Sequence, residues 1–341
     1  MKIAFIWSQG PQTWNDASLE SGLGGSKAMM IFYAREFARR GHDVSCYCPN
    51  DQPGVYSGVA WLDWERQPID AEVVVSLRTP LPLQRYPNAR IRALFANDQK
   101  CDALPLAVKN GDCNLIITIS KHQTERYQAL YPDISAELWF CSSAGVELSA
   151  YRHAPKQRGL CLYMSTPERG LEYLIPLFKI IHQRCHGSLL KITSGFQLYG
   201  WSDEDAKKYS RGLYENLGDG IEYVGPIPRS ELQALQSSAQ LLLYPSTYDE
   251  MCCISALEAA AAEMAIVTTD KGALSERVIP GVTGYLIKGH PSEPAYREEF
   301  IDKACLALSG QFSMGRAGRM LVARHDYAVL AKEWEDELGR R

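Results

Sequence analysis

Two carboxylates eight residues apart, Glu250 and Glu258, frame the stretch of this chain best suited to chemistry. The apolar run Gln240–Tyr244 predicts a strand that ends at Pro245-Ser246. A loop follows, and the Ala-, Leu- and Glu-rich stretch Ile254–Glu263 predicts a helix whose start lies near Cys252. Glu250 then precedes a helix N-terminus, and Glu258 lies about two turns inside. At helical spacing the two differ by about 80° around the axis, so both can face one site at different depths. Unpaired amides at Met251, Cys252 and Cys253 would point at an anion such as a diphosphate. Carboxylates beside such a site can accept hydrogen bonds from a sugar or ribose diol. The helix dipole alone also favours a glutamate at a helix start.

The second candidate is Ser21-Gly22-Leu23-Gly24-Gly25-Ser26, ahead of a helix predicted at Lys27–Arg40 and stopped by Gly41. Gly24 and Gly25 would let the backbone approach a ligand at that helix start. Lys27 occupies the place of the third glycine of a dinucleotide fingerprint, so GxGxxG is excluded. The connection from Ser8 to Gly25 is long for a strand–helix link, which favours ligand contact. His182 and His186 fall at i,i+4 on the helix predicted at Gly170–Arg184, but no HExxH surrounds them, and no metal site is expected.

The elements that must position these residues alternate. Strands are predicted at Lys2–Trp7, Asp43–Cys48, Glu72–Leu77, Ile91–Ala96, Leu115–Ile119 and Glu137–Phe140, with a helix at Lys121–Leu130 ended by Tyr131-Pro132. After the polar stretch 149–159 the alternation restarts. Strands are predicted at Leu160–Met164, Ser188–Thr193, Ile221–Val224 and Ala265–Thr269, a polar helix near 203–217, and a last helix at Ala328–Leu338. This is α/β, with two βαβ domains and parallel sheets. Ligands of such sheets sit at the carboxyl ends of the strands.

The chain has 341 residues, 46% of them apolar, with 36 Lys and Arg against 40 Asp and Glu. That excludes a disordered or disulfide-stapled protein and argues against a nucleic-acid binder. No stretch approaches the length of a membrane span, and the apolar run Ile3–Trp7 is too short for a signal-peptide core. The ten cysteines include no CxxC pair, so reduced thiols in a cytoplasmic protein are expected. Residues 1–155 carry 15 basic and 16 acidic side chains, yet Lys27, Arg35, Arg39 and Arg40 cluster on one helix, which leaves peripheral membrane contact open.

Glu250-x7-Glu258 resembles the EX7E motif of retaining GT-B glycosyltransferases, glycosyltransferase family 4 in particular. Pro245-Ser246, Leu257-Glu258-Ala259-Ala260, Gly272-Ala273-Leu274-Ser275-Glu276 and Gly281-Val282-Thr283-Gly284 resemble the surrounding landmarks of that family. Gly24-Gly25, Arg40-Gly41-His42-Asp43-Val44, Ile119-Ser120, Gly145-Val146-Glu147 and Met164-Ser165-Thr166-Pro167-Glu168-Arg169-Gly170-Leu171 resemble others in the same order. The resemblance implies a GT-B fold of two Rossmann-like domains facing across a deep cleft. Residues 1–155 would form the acceptor domain, 156–320 the donor domain, and 321–341 a helix returning to the first.

It also implies roles. Glu258 would hold the ribose hydroxyls. Glu250 would hold donor-sugar hydroxyls, and Arg169, in place of the family lysine, would neutralise the diphosphate. Gly24, Gly25, Ser165, Ile227, Met251, Cys252, Cys253 and Ile254 would complete the donor site. Asp98, with Glu250 and Arg169, completes the catalytic set, standing where the family often has a histidine. Four departures stand out: Ser165 at the arginine of the family's "GR", Lys27 where an acid is common, Cys252-Cys253 for an aromatic–glycine pair, and Asn97-Asp98. Lys27 either binds phosphate or points to solvent.

The implied activity is retaining transfer of a hexose from a nucleotide-diphosphate sugar, UDP- or GDP-linked, to a hydroxyl acceptor. No further cofactor and no metal are called for, and the oligomeric state is left open. The alternatives are a nucleotide-sugar-binding protein without transfer, and a GT-B sugar phosphorylase or epimerase.

Overall fold

The computed structural model describes residues 1–10, 12–65, 70–196, 201, 202, 204, 205, 208, 212–310 and 312–341. It divides into two units: Met1–Gly145 with His325–Arg341, and Val146–Arg324. The first junction falls earlier than the 155/156 boundary read from polarity. The polar residues after Gly145 are bound into the second unit. Leu148 O accepts from Arg319, His153 meets Glu263 at 3.1 Å, and Lys156 Nζ donates to the carbonyls of Ser237 (2.8 Å) and Ala262. Lys156 thereby sits on carbonyls at two helix C-termini, where a cation is favoured.

The first unit holds β1 (Lys2–Ile6), β2 (Asp43–Cys48), β3 (Gly54–Tyr56), β4 (Val59–Asp63), β5 (Val73–Leu77), β6 (Ile91–Phe95), β7 (Leu115–Thr118) and β8 (Trp139–Cys141). The order is β3-β4-β2-β1-β5-β6-β7-β8, parallel except for the β3–β4 pair. Successive residues of these strands point to opposite faces. Ala4, Ile6, Val74, Leu94 and Ile116 join one buried cluster with Leu104 and Tyr127. On the other face, Phe5 meets Phe37 at 6.1 Å and Phe95 meets Trp334 at 4.9 Å. Trp334 belongs to the last helix, Tyr327–Arg340, and stacks on Tyr33 of the helix Gly25–Arg39 at 4.4 Å.

The second unit holds β9 (Leu160–Tyr163), β10 (Leu189–Ile192), β11 (Ile221–Tyr223), β12 (Leu241–Tyr244), β13 (Ala265–Thr269) and β14 (Gly284–Ile287), in the order β11-β10-β9-β12-β13-β14. All of its ladders are parallel. Chain order reverses between β9 and β12, the kind of switch point at which open α/β sheets bind ligands. Those two strands pair only at Leu241↔Cys161 and Leu242↔Leu162, and part beyond.

Three expectations change. The helix expected from near Cys252 begins at Ile254. His186 lies in the turn after the helix Leu171–Arg184 and shares no helical face with His182, whose Nδ1 is 2.8 Å from Ser188 O. The strand expected at Glu137–Phe140 is a 3-10 turn, Ala136–Leu138, followed by β8. Of the polar helix expected near 203–217, residues 203, 206, 207 and 209–211 lie outside the described residues, 204, 205 and 208 are helical, and 212–216 form turn and bend.

Candidate active site

Both strand ends at the switch point between β9 and β12 carry candidate residues. Beyond β9, Ser165 leads into a 3-10 turn, Pro167–Arg169, and then Gly170 at φ 106° opens the helix Leu171–Arg184. A Cβ on Gly170 would lie 2.0 Å from Pro245 O, so the absence of a side chain lets this turn press against the end of β12. Across that contact Arg169 Nη1 lies 3.0 Å from Glu250 Oε1 and 3.3 Å from Oε2, and the guanidinium carbon lies 4.2 Å from the Tyr248 ring centroid.

Glu250 is 3% exposed. Besides Arg169, its carboxylate accepts a hydrogen bond from Tyr244 Oη, which is 3.4 Å from Ser165 Oγ. Burial and the adjacent Glu250 push the Tyr244 phenol well up, so it stays protonated and donates. Burial and Glu250 likewise raise the Cys253 thiol well above its ordinary range. The backbone is held as firmly: Ala273 N donates to Glu250 O at 2.8 Å, and Gly272, at φ 58°, packs where a Cβ would lie 2.5 Å from that carbonyl.

Glu250 therefore sits in a loop, and helical spacing does not relate it to Glu258. Cys253 is the N-cap, at φ 64° and ψ 80°. The amides of Met251 and Cys252 belong to the loop, and Ile254 opens the first turn, where α-helix geometry gives its amide no intrahelical acceptor. Arg277 Nε donates to Cys252 O at 2.9 Å and fixes this loop.

Glu258 projects from the helix Ile254–Ala261. Gln236 Nε2 donates to its Oε2 at 3.2 Å, and Arg229 Nη1 lies 3.6 Å from its Oε1. Both partners come from the helix Arg229–Ser238, and Ile227, partly exposed, lies in the loop before it. Ser255 Oγ donates to Met164 O at 2.6 Å, tying the helix start to the end of β9.

Gly24, Gly25 and Asp98 belong to the first unit. Gly24 is the N-cap of the helix Gly25–Arg39, at φ −59°, a conformation open to any residue. The long connection before it is ordered around Trp14 and Asp16, and Asp16 accepts two hydrogen bonds from Arg35 at 2.7 and 2.8 Å. Asp98, just past β6, accepts two from Arg78, at 2.7 and 2.9 Å. Tyr244, Tyr248, Arg229, Gln236 and Arg277 were not singled out by sequence reasoning. Tyr244 reads as one more apolar residue of a buried strand, and the arginines carry no motif.

Residues 155–303 match the family described as "Glycosyl transferases group 1". The chain is 24% identical over 179 residues to the lipopolysaccharide 1,2-N-acetylglucosaminetransferase of Salmonella typhimurium. That match covers 51% of this chain and 45% of the relative, so the chain spans less than half the length of this curated relative. Among solved structures, the sucrose-phosphate synthase of Thermosynechococcus elongatus superposes with a TM-score of 0.77 at 16% identity, over 99% of this chain and 98% of that one. Anabaena Alr3699/HepE in complex with UDP-glucose superposes with a TM-score of 0.74 at 16% identity, over the full length of both. The fold is a two-domain, GT-B-like α/β fold with Rossmann-like parallel-sheet domains. No helix among the described residues is long and apolar enough to cross a membrane.

Proposed function

We propose that the protein is a retaining glycosyltransferase that moves a sugar from a nucleotide-diphosphate donor, UDP- or GDP-linked, to a hydroxyl acceptor. The observation that carries the reading is the Arg169–Glu250 pair, joined across the switch point of the glycosyl-transferase-like unit with Glu258 nearby in the chain. The UDP-glucose bound by Alr3699/HepE supports a nucleotide-sugar donor.

In this reading the second unit takes the donor and the first the acceptor. Glu258 accepts from the ribose hydroxyls, with Gln236 and Arg229 fixing its orientation. Glu250 has lone pairs left for donor-sugar hydroxyls after Tyr244 and Arg169 have donated. Arg169 meets the diphosphate together with loop and first-turn amides. Arg229 supplies a second cation in a site where Ser165 stands for an arginine. The glycosidic C–O bond to the diphosphate breaks, and the acceptor oxygen bonds the anomeric carbon on the same face. The acceptor proton passes to the departing phosphate oxygen. Rate then depends on positioning and on stabilising the leaving charge.

The test is turnover of UDP- and GDP-sugars against an acceptor panel, with the anomeric configuration of the product read by NMR. A product that keeps the donor configuration is expected. Inversion overturns the retaining assignment. Donor binding without transfer or hydrolysis would instead indicate a nucleotide-sugar-binding protein.

A further inference from the structure

The first unit has its own switch point, between β1 and β5, and its chemistry is distinctive. Lys27 is half-buried between two indoles, its Nζ 5.7 Å from the Trp7 ring centroid and 5.6 Å from that of Trp14. It donates to Gln12 Oε1, a neutral acceptor. Among the described residues no carboxylate pairs with it. Its nearby ionisable neighbours are Cys48, whose thiol burial keeps protonated, and Arg78, a second cation. Arg78 leaves the end of β5 at φ 67°, places its guanidinium 5.6 Å from the Trp7 centroid, and is steered by Asp98. Two cations thus converge on one buried indole with a single carboxylate between them. A half-buried ammonium without an acidic partner is costly, and burial together with Arg78 pulls the Lys27 ammonium below its ordinary range.

A second observation lies two strands away. Asn97 follows β6, and both its Oδ1 and Nδ2 are buried without a hydrogen-bond partner. An unsatisfied buried carboxamide is costly, and a ligand hydroxyl would recover that cost. The ends of β1 and β6 lie two strand spacings apart, about 10 Å. That suits a single sugar ring with an acidic substituent.

We propose that Lys27, assisted by Arg78, receives the anionic group of an acidic acceptor sugar on the first unit, and that Asn97 reads a hydroxyl of the same sugar. The shared chemistry is a hexose bearing a carboxylate or a phosphate. The proposal rests on the glycosyltransferase reading and specifies its acceptor.

The experiment is calorimetric titration of the full chain with glucose, galactose and mannose, each as the neutral sugar, the hexuronate and the 6-phosphate. At least one acid should bind about tenfold or more tighter than its neutral counterpart, and added salt should narrow the gap. Lys27→Met should bring that acid to the neutral level, while Lys27→Arg keeps most of the preference. Asn97→Ala should weaken acid and neutral sugar alike. A preference for uronates or for 6-phosphates identifies the anion. Equal binding of acids and neutral sugars, no acid binding, or unchanged preference in Lys27→Met overturns the proposal. Thermal shifts with UDP- and GDP-sugars separate it from the parent reading. Acid binding through Lys27 with no nucleotide response leaves the subsite standing and removes the transferase. A nucleotide response without acid binding does the reverse.

Discussion

Arg169 and Glu250 meet at 3.0 Å although they leave the ends of two different strands, and the pair closes the point where β9 and β12 part. Its carboxylate side is buried, so its energetics are asymmetric. Arg169→Ala leaves Glu250 buried with only the Tyr244 hydroxyl on its carboxylate, and should destabilise the protein by about 3 kcal/mol. Arg169→Ala with Glu250→Gln removes the charge as well and should recover much of that loss. Urea midpoints of the two variants check this. If the double variant is no more stable than the single, the cost comes from lost packing on Tyr248 and not from the stranded charge.

Glu258 is expected to act in binding more than in folding. At 100 times its dissociation constant a donor nucleotide should stabilise the wild type by about 2.7 kcal/mol. Glu258→Ala should lose most of that increment, measured against its own unliganded melt, because the ribose diol loses its acceptor. A thermal-shift series over UDP, GDP and their sugars reads it directly. An undiminished shift in the variant would remove Glu258 from the nucleotide site.

The sequence was most legible where one local rule decides. The helix Lys121–Leu130 has the bounds its pattern predicts, because Ser120 caps Gln123 N at 2.9 Å and Pro132 follows its end. Fully buried strands such as β5 and β13 read as plain apolar runs. What escaped depends on distant contacts. The helix Ser313–Val322 contains Gly315 and Gly318, poor helix formers, and Gly315 is there because a Cβ would lie 1.9 Å from Glu263 O. The same limit applied to the site. Glu250, Glu258 and Arg169 carry a motif, whereas Tyr244 reaches Glu250 across a loop and Arg277 reaches Cys252 from 25 residues on, contacts that no local pattern announces. The helix start was misread because Cys253 gives no sign of a left-handed backbone.

That left-handed cysteine yields a stability prediction. Non-glycine residues in this region cost about 1–2 kcal/mol. Cys253→Gly removes that strain but also a buried thiol, so its melting temperature should stay within a few degrees of wild type, whereas most buried truncations lower it more. Cys253→Val adds a β-branched side chain at φ 64° and should be clearly less stable than either. A Gly variant as damaged as the Val variant would show that the thiol's packing, not the backbone, dominates there.

The last helix makes acid sensitivity predictable. Arg40 and, with burial opposing, His42 hold the Glu335 carboxyl down to about 2, from 4.5. Arg40 and His42 follow the helix Gly25–Arg39, so the contact ties the C-terminal helix to the rest of the first unit. Because the folded value is the lower one, the unfolded chain binds the extra proton between these limits, and stability rises with pH there. The contribution is complete above about pH 5 and is lost as pH falls through 4.5 toward 2. Glu335→Gln should therefore be less stable than wild type at pH 7. The gap between the two should shrink as pH falls, which paired urea titrations at pH 7, 5, 4 and 3 would follow. A gap that stays constant over that range would show that Glu335 contributes through packing rather than through its charge.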